Sequence, residues 1–103
     1  MERHDEVWKG GALVRTYLEG AVGRVERIRA RIAGADLANL ACEAHDLKGV
    51  AGNFGARRVA ELARRLELAC HKGSAQEAAA IALQIEAASA DACRALHDRF
   101  LAA

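Results

Sequence analysis

Along this chain apolar residues recur at alternating spacings of three and four, with charged residues filling the positions between. From Ala12 onward, Val14, Leu18, Ala21, Val25, Ile28 and Ile32 form one such stripe, which predicts a long first helix. Leu37, Leu40, Ala44, Leu47, Ala51 and Phe54 form the next. A third helix, about Ala56 to His71, turns Val59, Leu62, Ala63, Leu66 and Cys70 inward and Arg57, Arg58, Arg64 and Arg65 outward. The last inward set is Ala78, Ile81, Ile85, Ala88, Ala92 and Leu96, with Phe100 near its end.

Punctuation between the stripes is consistent with this reading. Gly34 is expected to supply a left-handed stop after the first helix, and Asp36 is a good N-cap for the second. Asn53 and Gly55 both tolerate the left-handed conformation that reverses a chain. Gly73 closes the third helix, and Ser74-Ala75-Gln76-Glu77 is a capping box that opens the fourth. Gly10 and Gly11 are expected to break the chain after residues 1–9, whose Val7 and Trp8 suit a short turn of helix across one end. Gly20 and Gly23 lie inside the first helix and imply close approach to a neighbour or a local bend. Four helices joined by short loops predict an all-α fold, an antiparallel up-down four-helix bundle formed by one domain over residues 1–103, with room for a short extra N-terminal helix.

Composition narrows the function. The chain has 52% hydrophobic but only 4% aromatic residues and no proline, which suits closely packed helices with an aliphatic core. Fifteen Lys and Arg against fourteen Asp and Glu leave a net charge of +1, so no global field recruits nucleic acid or an anionic membrane. No apolar run reaches the roughly 18 residues of a membrane span, and the N-terminus is too polar for a signal peptide, so a cytoplasmic location is expected. The initial methionine favours a free-standing protein over an excised module. Cys42, Cys70 and Cys93, odd in number and without paired spacing, read as reduced thiols acting as small buried hydrophobes.

The stretch AHDLKGVAGNFGA, Ala44 to Ala56, carries the candidate chemistry. At about 100° per residue, His45 falls beside the buried stripe, on the same side as Ala41, Lys48, Gly49 and Gly52. A neutral imidazole has an unshared pair for attack, and the ordinary histidine pKa of about 6.5 leaves it mostly neutral at physiological pH. Lys48, one turn on, can place its ammonium near the oxygens of an anionic group carried by the imidazole. Gly49 and Gly52 bare that side of the helix to an approaching partner, although each costs about 1 kcal/mol relative to alanine. The alternatives are a solvated histidine, a solvated lysine, and glycines kept for close helix packing; for Gly52 the two readings balance. Gly55 belongs to the turn. Arg57 and Arg58 are expected near the His45 end as partner contacts or as a solvated basic face, and His4, His71 and His97 read as incidental. Cys93 with His97 and Cys42 with His45 have ligand-like spacing, but no complete metal motif is present and none is expected to bind.

His45-x-Leu47-Lys48-Gly49, followed by Gly55 and by LARRLE at 62–67, resembles the histidine-containing phosphotransfer (HPt) domain family over most of the chain. The resemblance implies a phosphorelay intermediate that accepts a phosphoryl group on His45 from a phospho-aspartate of a response-regulator receiver domain and passes it to another. Receivers and a hybrid or sensor histidine kinase are the partners it implies, with Mg²⁺ held by the receiver and no cofactor on this chain. No glycine-rich nucleotide loop accompanies the motif, so a phosphocarrier is expected and not a kinase. Asp46 departs from the family, where a small or hydroxyl residue commonly follows the histidine. Two other readings are the phosphoacceptor dimerisation segment of a sensor kinase and an interaction-only bundle. The first calls for an arginine at Lys48 and a proline soon after, and the four-helix length suits a monomer instead.

Overall fold

The computed structural model describes residues 2–101, with side chains from Gly11 to Leu101. The expectations for the side chains of His4, Val7 and Trp8 fall outside the described side chains. Four helices are formed: α1 (Glu2–Ala33), α2 (Leu37–Asn53), α3 (Arg57–His71) and α4 (Ala75–Phe100). Each packs antiparallel on the next, and α4 returns to α1, which closes the bundle. The α1/α4 edge therefore lies opposite the α2/α3 edge.

The expected break at Gly10–Gly11 does not occur, and there is no separate N-terminal helix among the described residues; α1 runs through both glycines. Two interior glycines cost about 1 kcal/mol each, which helical neighbours on both sides can offset because propagation adds one hydrogen bond per residue fixed. Gly11 also sits near the far end of α4, where a Cβ would lie 3.9 Å from Leu101 Cδ2.

All three connections close in the same way. Asp36 N–H donates to Arg31 O, Ala56 N–H to Ala51 O and Ser74 N–H to Ala69 O, at 2.9, 2.9 and 3.0 Å. Inside each of these bonds a second, shorter loop ends at a left-handed residue, as in a Schellman motif. Those residues are Ala35, Gly55 and Gly73, with φ of 52°, 72° and 76°. The first stop is thus one residue beyond the expected Gly34 and is carried by an alanine. Asp36 accepts from Asn39 N–H at 3.2 Å, so the expected cap of α2 forms. Ser74 accepts from Glu77 N–H at 3.3 Å, but the return half of the capping box is not made: Ser74 N–H donates to Ala69 O, and the Glu77 carboxylate faces Lys72 Nζ at 3.8 Å.

The main core joins Ile28 of α1 to Leu40, Leu47, Leu62, Leu66, Ile81 and Ile85 from the other helices. A smaller cluster at the other end contains Val14, Tyr17 and Leu96, with Phe54 and Leu101 packed on it. Tyr17, absent from the expected stripe, is buried and stacks on Phe54 at 4.8 Å between ring centroids. Phe100, expected to turn inward, is exposed. Gly20 gives room to the Arg24 guanidinium, which folds back over the Tyr17 ring; a Cβ there would lie 2.8 Å from Arg24 Nη1. Of the cysteines only Cys70 is buried, Cys93 is half-buried, and Cys42 is exposed, contrary to its expected burial.

Candidate functional site

His45 stands in the middle of α2, one position past the buried Ala44, with its side chain 64% exposed. Because α2 and α3 run antiparallel, its level on the neighbouring helix is occupied by Glu67, one position past the buried Leu66. The Glu67 carboxylate lies between two partners from α2. Its Oε2 is 3.1 Å from His45 Nδ1, and its Oε1 accepts from Lys48 Nζ at 3.2 Å. One carboxylate therefore ties the imidazole and the ammonium to the same point on α3. Burial opposes ionisation of Glu67, but the hydrogen bond and charge of Lys48, followed by His45, outweigh it and hold the carboxyl below its ordinary range.

Glu67 is not among the site residues expected from the sequence, although it ends the LARRLE segment. The available signal was its position: like His45 it directly follows a core residue, so the two face one seam once the helices are antiparallel. His71 was read as incidental, yet its Nε2 is 3.8 Å from Glu67 Oε2. These groups border a cavity of about 540 Å³ along the α2/α3 seam, whose wall also includes Ala41, Cys42 and Cys70. Burial pushes the Cys70 thiol up, and the nearby Glu67 charge adds to this. Among the described residues, no group of three or more His, Cys, Asp or Glu side chains is placed to hold a metal ion.

Gly49 and Gly52 lie on the exposed side of α2, and a Cβ at either would meet nothing within 4 Å. Close helix packing is therefore not what requires glycine at these two positions. Gly55 serves the turn through its positive φ. Arg57 and Arg58 are exposed, but the structure does not bring them to His45: they begin α3, roughly 14 Å along the helix from Glu67, and border a cavity with Ala88 and Asp91 of α4. Asp46 is exposed on the next position around α2. No helix of the described residues is long and apolar enough to cross a membrane.

An exposed histidine clamped to a carboxylate, with a lysine beside it and bare helix surface next to it, suits transfer of a charged group to the outer ring nitrogen. Comparison with models of protein families matches residues 12–102 to the Hpt domain. Comparisons with curated proteins and with solved structures found no match. With that match spanning nearly the whole sequence and the four helices closing as a bundle, the chain belongs to the Hpt domain family, the histidine phosphotransfer modules of two-component phosphorelays.

Proposed function

We propose that His45 is the phosphoacceptor of this Hpt domain, receiving a phosphoryl group from a phospho-aspartate of a response-regulator receiver domain and passing it to a second receiver. The observation that carries this reading is the contact between His45 Nδ1 and Glu67 Oε2. A proton on Nδ1 held by the carboxylate leaves the lone pair on Nε2, the ring nitrogen not engaged by Glu67. That nitrogen attacks phosphorus, an N–P bond forms, and the P–O bond to the receiver aspartate breaks with the electron pair leaving on its carboxylate. Glu67 then faces the positive charge of the phosphorylated ring through the retained N–H. The reverse sequence delivers the group to the next receiver.

Lys48 supports the same reading in a second way. Before transfer its ammonium rests on Glu67 Oε1; once a dianionic phosphoryl group sits on Nε2, the flexible side chain can turn to the phosphoryl oxygens. Gly49 and Gly52 give the partner's acidic pocket clearance for an in-line approach. Mg²⁺ and the reacting aspartate belong to the receiver, so this chain acts as a carrier and not as a kinase. A sensor or hybrid kinase stands upstream of it.

The test is incubation with a phosphorylated receiver and Mg²⁺, comparing the wild type with His45→Gln. Acid-labile phosphohistidine is expected on the wild type alone; equal labelling of both proteins overturns the assignment.

A further inference from the structure

Glu67 offers one oxygen to two histidines. Its Oε2 stands 3.1 Å from His45 Nδ1 across the α2/α3 seam and 3.8 Å from His71 Nε2, one turn on along α3. The first distance is a hydrogen bond; the second is too long for one, yet short enough for a charge on the ring to be felt. The two imidazoles are 64% and 66% exposed and the Glu67 side chain 20%, so the carboxylate is the fixed member and the rings reach it from the solvent side. Position 71 suits a cation twice over. It is the last residue of α3, at the negative end of the helix dipole, and it follows Glu67 by four, the favourable order for an acid and a base on one helix. Histidine is also the side chain that ordinarily changes charge between about pH 5 and 8. The other titratable groups facing this part of the seam are Cys42 and Lys48 from α2 and Cys70 from α3; Glu77 of α4 faces Lys72 instead, at 3.8 Å.

We propose that His71 is a positioning residue that acts on His45 through Glu67, by competing for Oε2; the consequence for phosphoryl transfer rests on His45 as the phosphoacceptor. A neutral His71 leaves Oε2 to the Nδ1–H of His45, which keeps the lone pair on Nε2. When His71 takes a proton, its ring is drawn onto the same oxygen while Lys48 keeps Oε1. Each oxygen of the carboxylate then answers to a cation, and less of its charge is left for His45. The Nδ1–H form of His45 loses part of its anchor. The positive charge that attack on phosphorus develops on the ring is also less well offset. His71 thereby sets how much of the Glu67 charge His45 receives, and it does so according to its own protonation.

His71→Lys in the full chain supplies a fixed cation at this exposed position, in the same order after Glu67. The comparison is made at about pH 8, above the range in which histidine ordinarily gains its proton. There the ring-nitrogen NMR resonances of His45 should move toward the Nε2–H tautomer relative to the wild type, with helical circular dichroism unchanged. Phosphoryl acceptance from a phosphorylated receiver should be roughly threefold slower, a smaller loss than removal of the whole carboxylate charge. Because the action runs through Glu67, the same substitution placed on Glu67→Gln should change the rate by less than about 1.5-fold. A wild-type tautomer signature for His45 in His71→Lys overturns the proposal, as does a slowing of equal size with and without the Glu67 carboxylate. The tautomer comparison needs no receiver. If the resonances move while no protein takes label, the phosphoacceptor assignment fails and the coupling of the two histidines stands.

Discussion

At the scale of single residues, Glu67 is the group on which the site turns, because it fixes the imidazole and the lysine with one carboxylate. Glu67→Gln keeps the shape but removes the charge that favours the Nδ1–H form. Losing one charge-assisted contact worth about 1 kcal/mol at an exposed group predicts phosphoryl acceptance roughly fivefold slower, measured by rapid-quench labelling from a phosphorylated receiver. Unchanged rates would show that the carboxylate is incidental. Gly49 gives the complementary prediction, since a Cβ there meets nothing within 4 Å. Gly49→Ala should stabilise the fold by about 0.5–1 kcal/mol through helix propensity. Gly49→Leu should fold as well but transfer at least tenfold more slowly, because the new side chain would stand on the proposed approach path of the receiver. Thermal unfolding and transfer assays on the same preparations separate the two effects; equal transfer by Gly49→Leu would assign the glycine no role in access.

At the scale of elements, the helices owe their ends to three copies of one closure, and the residue at each left-handed position decides its cost. Gly55 occupies that conformation without penalty, whereas Ala35 adopts it at φ 52°. Gly55→Ala should therefore destabilise the protein by about 1 kcal/mol even though space is available for the methyl group. Ala35→Gly should stabilise it by roughly 0.5 kcal/mol, the relief of strain exceeding the added freedom of the unfolded chain. Opposite signs at these two turns are what urea denaturation should report. The fourth helix depends on its cap: Ser74→Ala removes the acceptor of Glu77 N–H and should cost about 1 kcal/mol, lowering Tm by roughly 4–8 °C in a domain of this size. The helix stripes and caps were legible in the sequence because they are local, with periodicity near 3.6 and capping residues within three positions of the groups they satisfy. Continuity of α1 through Gly10–Gly11 was not, because local cost alone argued for a break there.

At the scale of the whole molecule, acid should loosen the bundle through its carboxylates. Hydrogen bonds from Asn39 hold Asp36 below its ordinary range, and the Arg64 hydrogen bond does the same for Glu61. Glu67 is also lowered, Lys48 and His45 outweighing its burial. A carboxyl that ionises more readily in the folded state adds stability above its unfolded pKa, and that stability is lost as pH falls through the folded value. Urea midpoints should thus be level near neutrality and decline from about pH 5 downward. The decline should be shallower in Glu67→Gln, and a midpoint that rises on acidification would contradict these ion pairs. Taken alone, the sequence determined the four long helices, the reversals at Gly55 and Gly73, most of the aliphatic core and the position of His45 beside its buried stripe, since each follows from spacing along one segment. Tertiary structure decided which residues meet: Glu67 with His45 and Lys48, Tyr17 with Phe54, and Arg29 of α1 with Glu86 of α4. It also set Arg57 and Arg58 apart from the histidine. These outcomes depend on the register between antiparallel helices, which no single segment encodes and which is fixed only when all four stripes pack together.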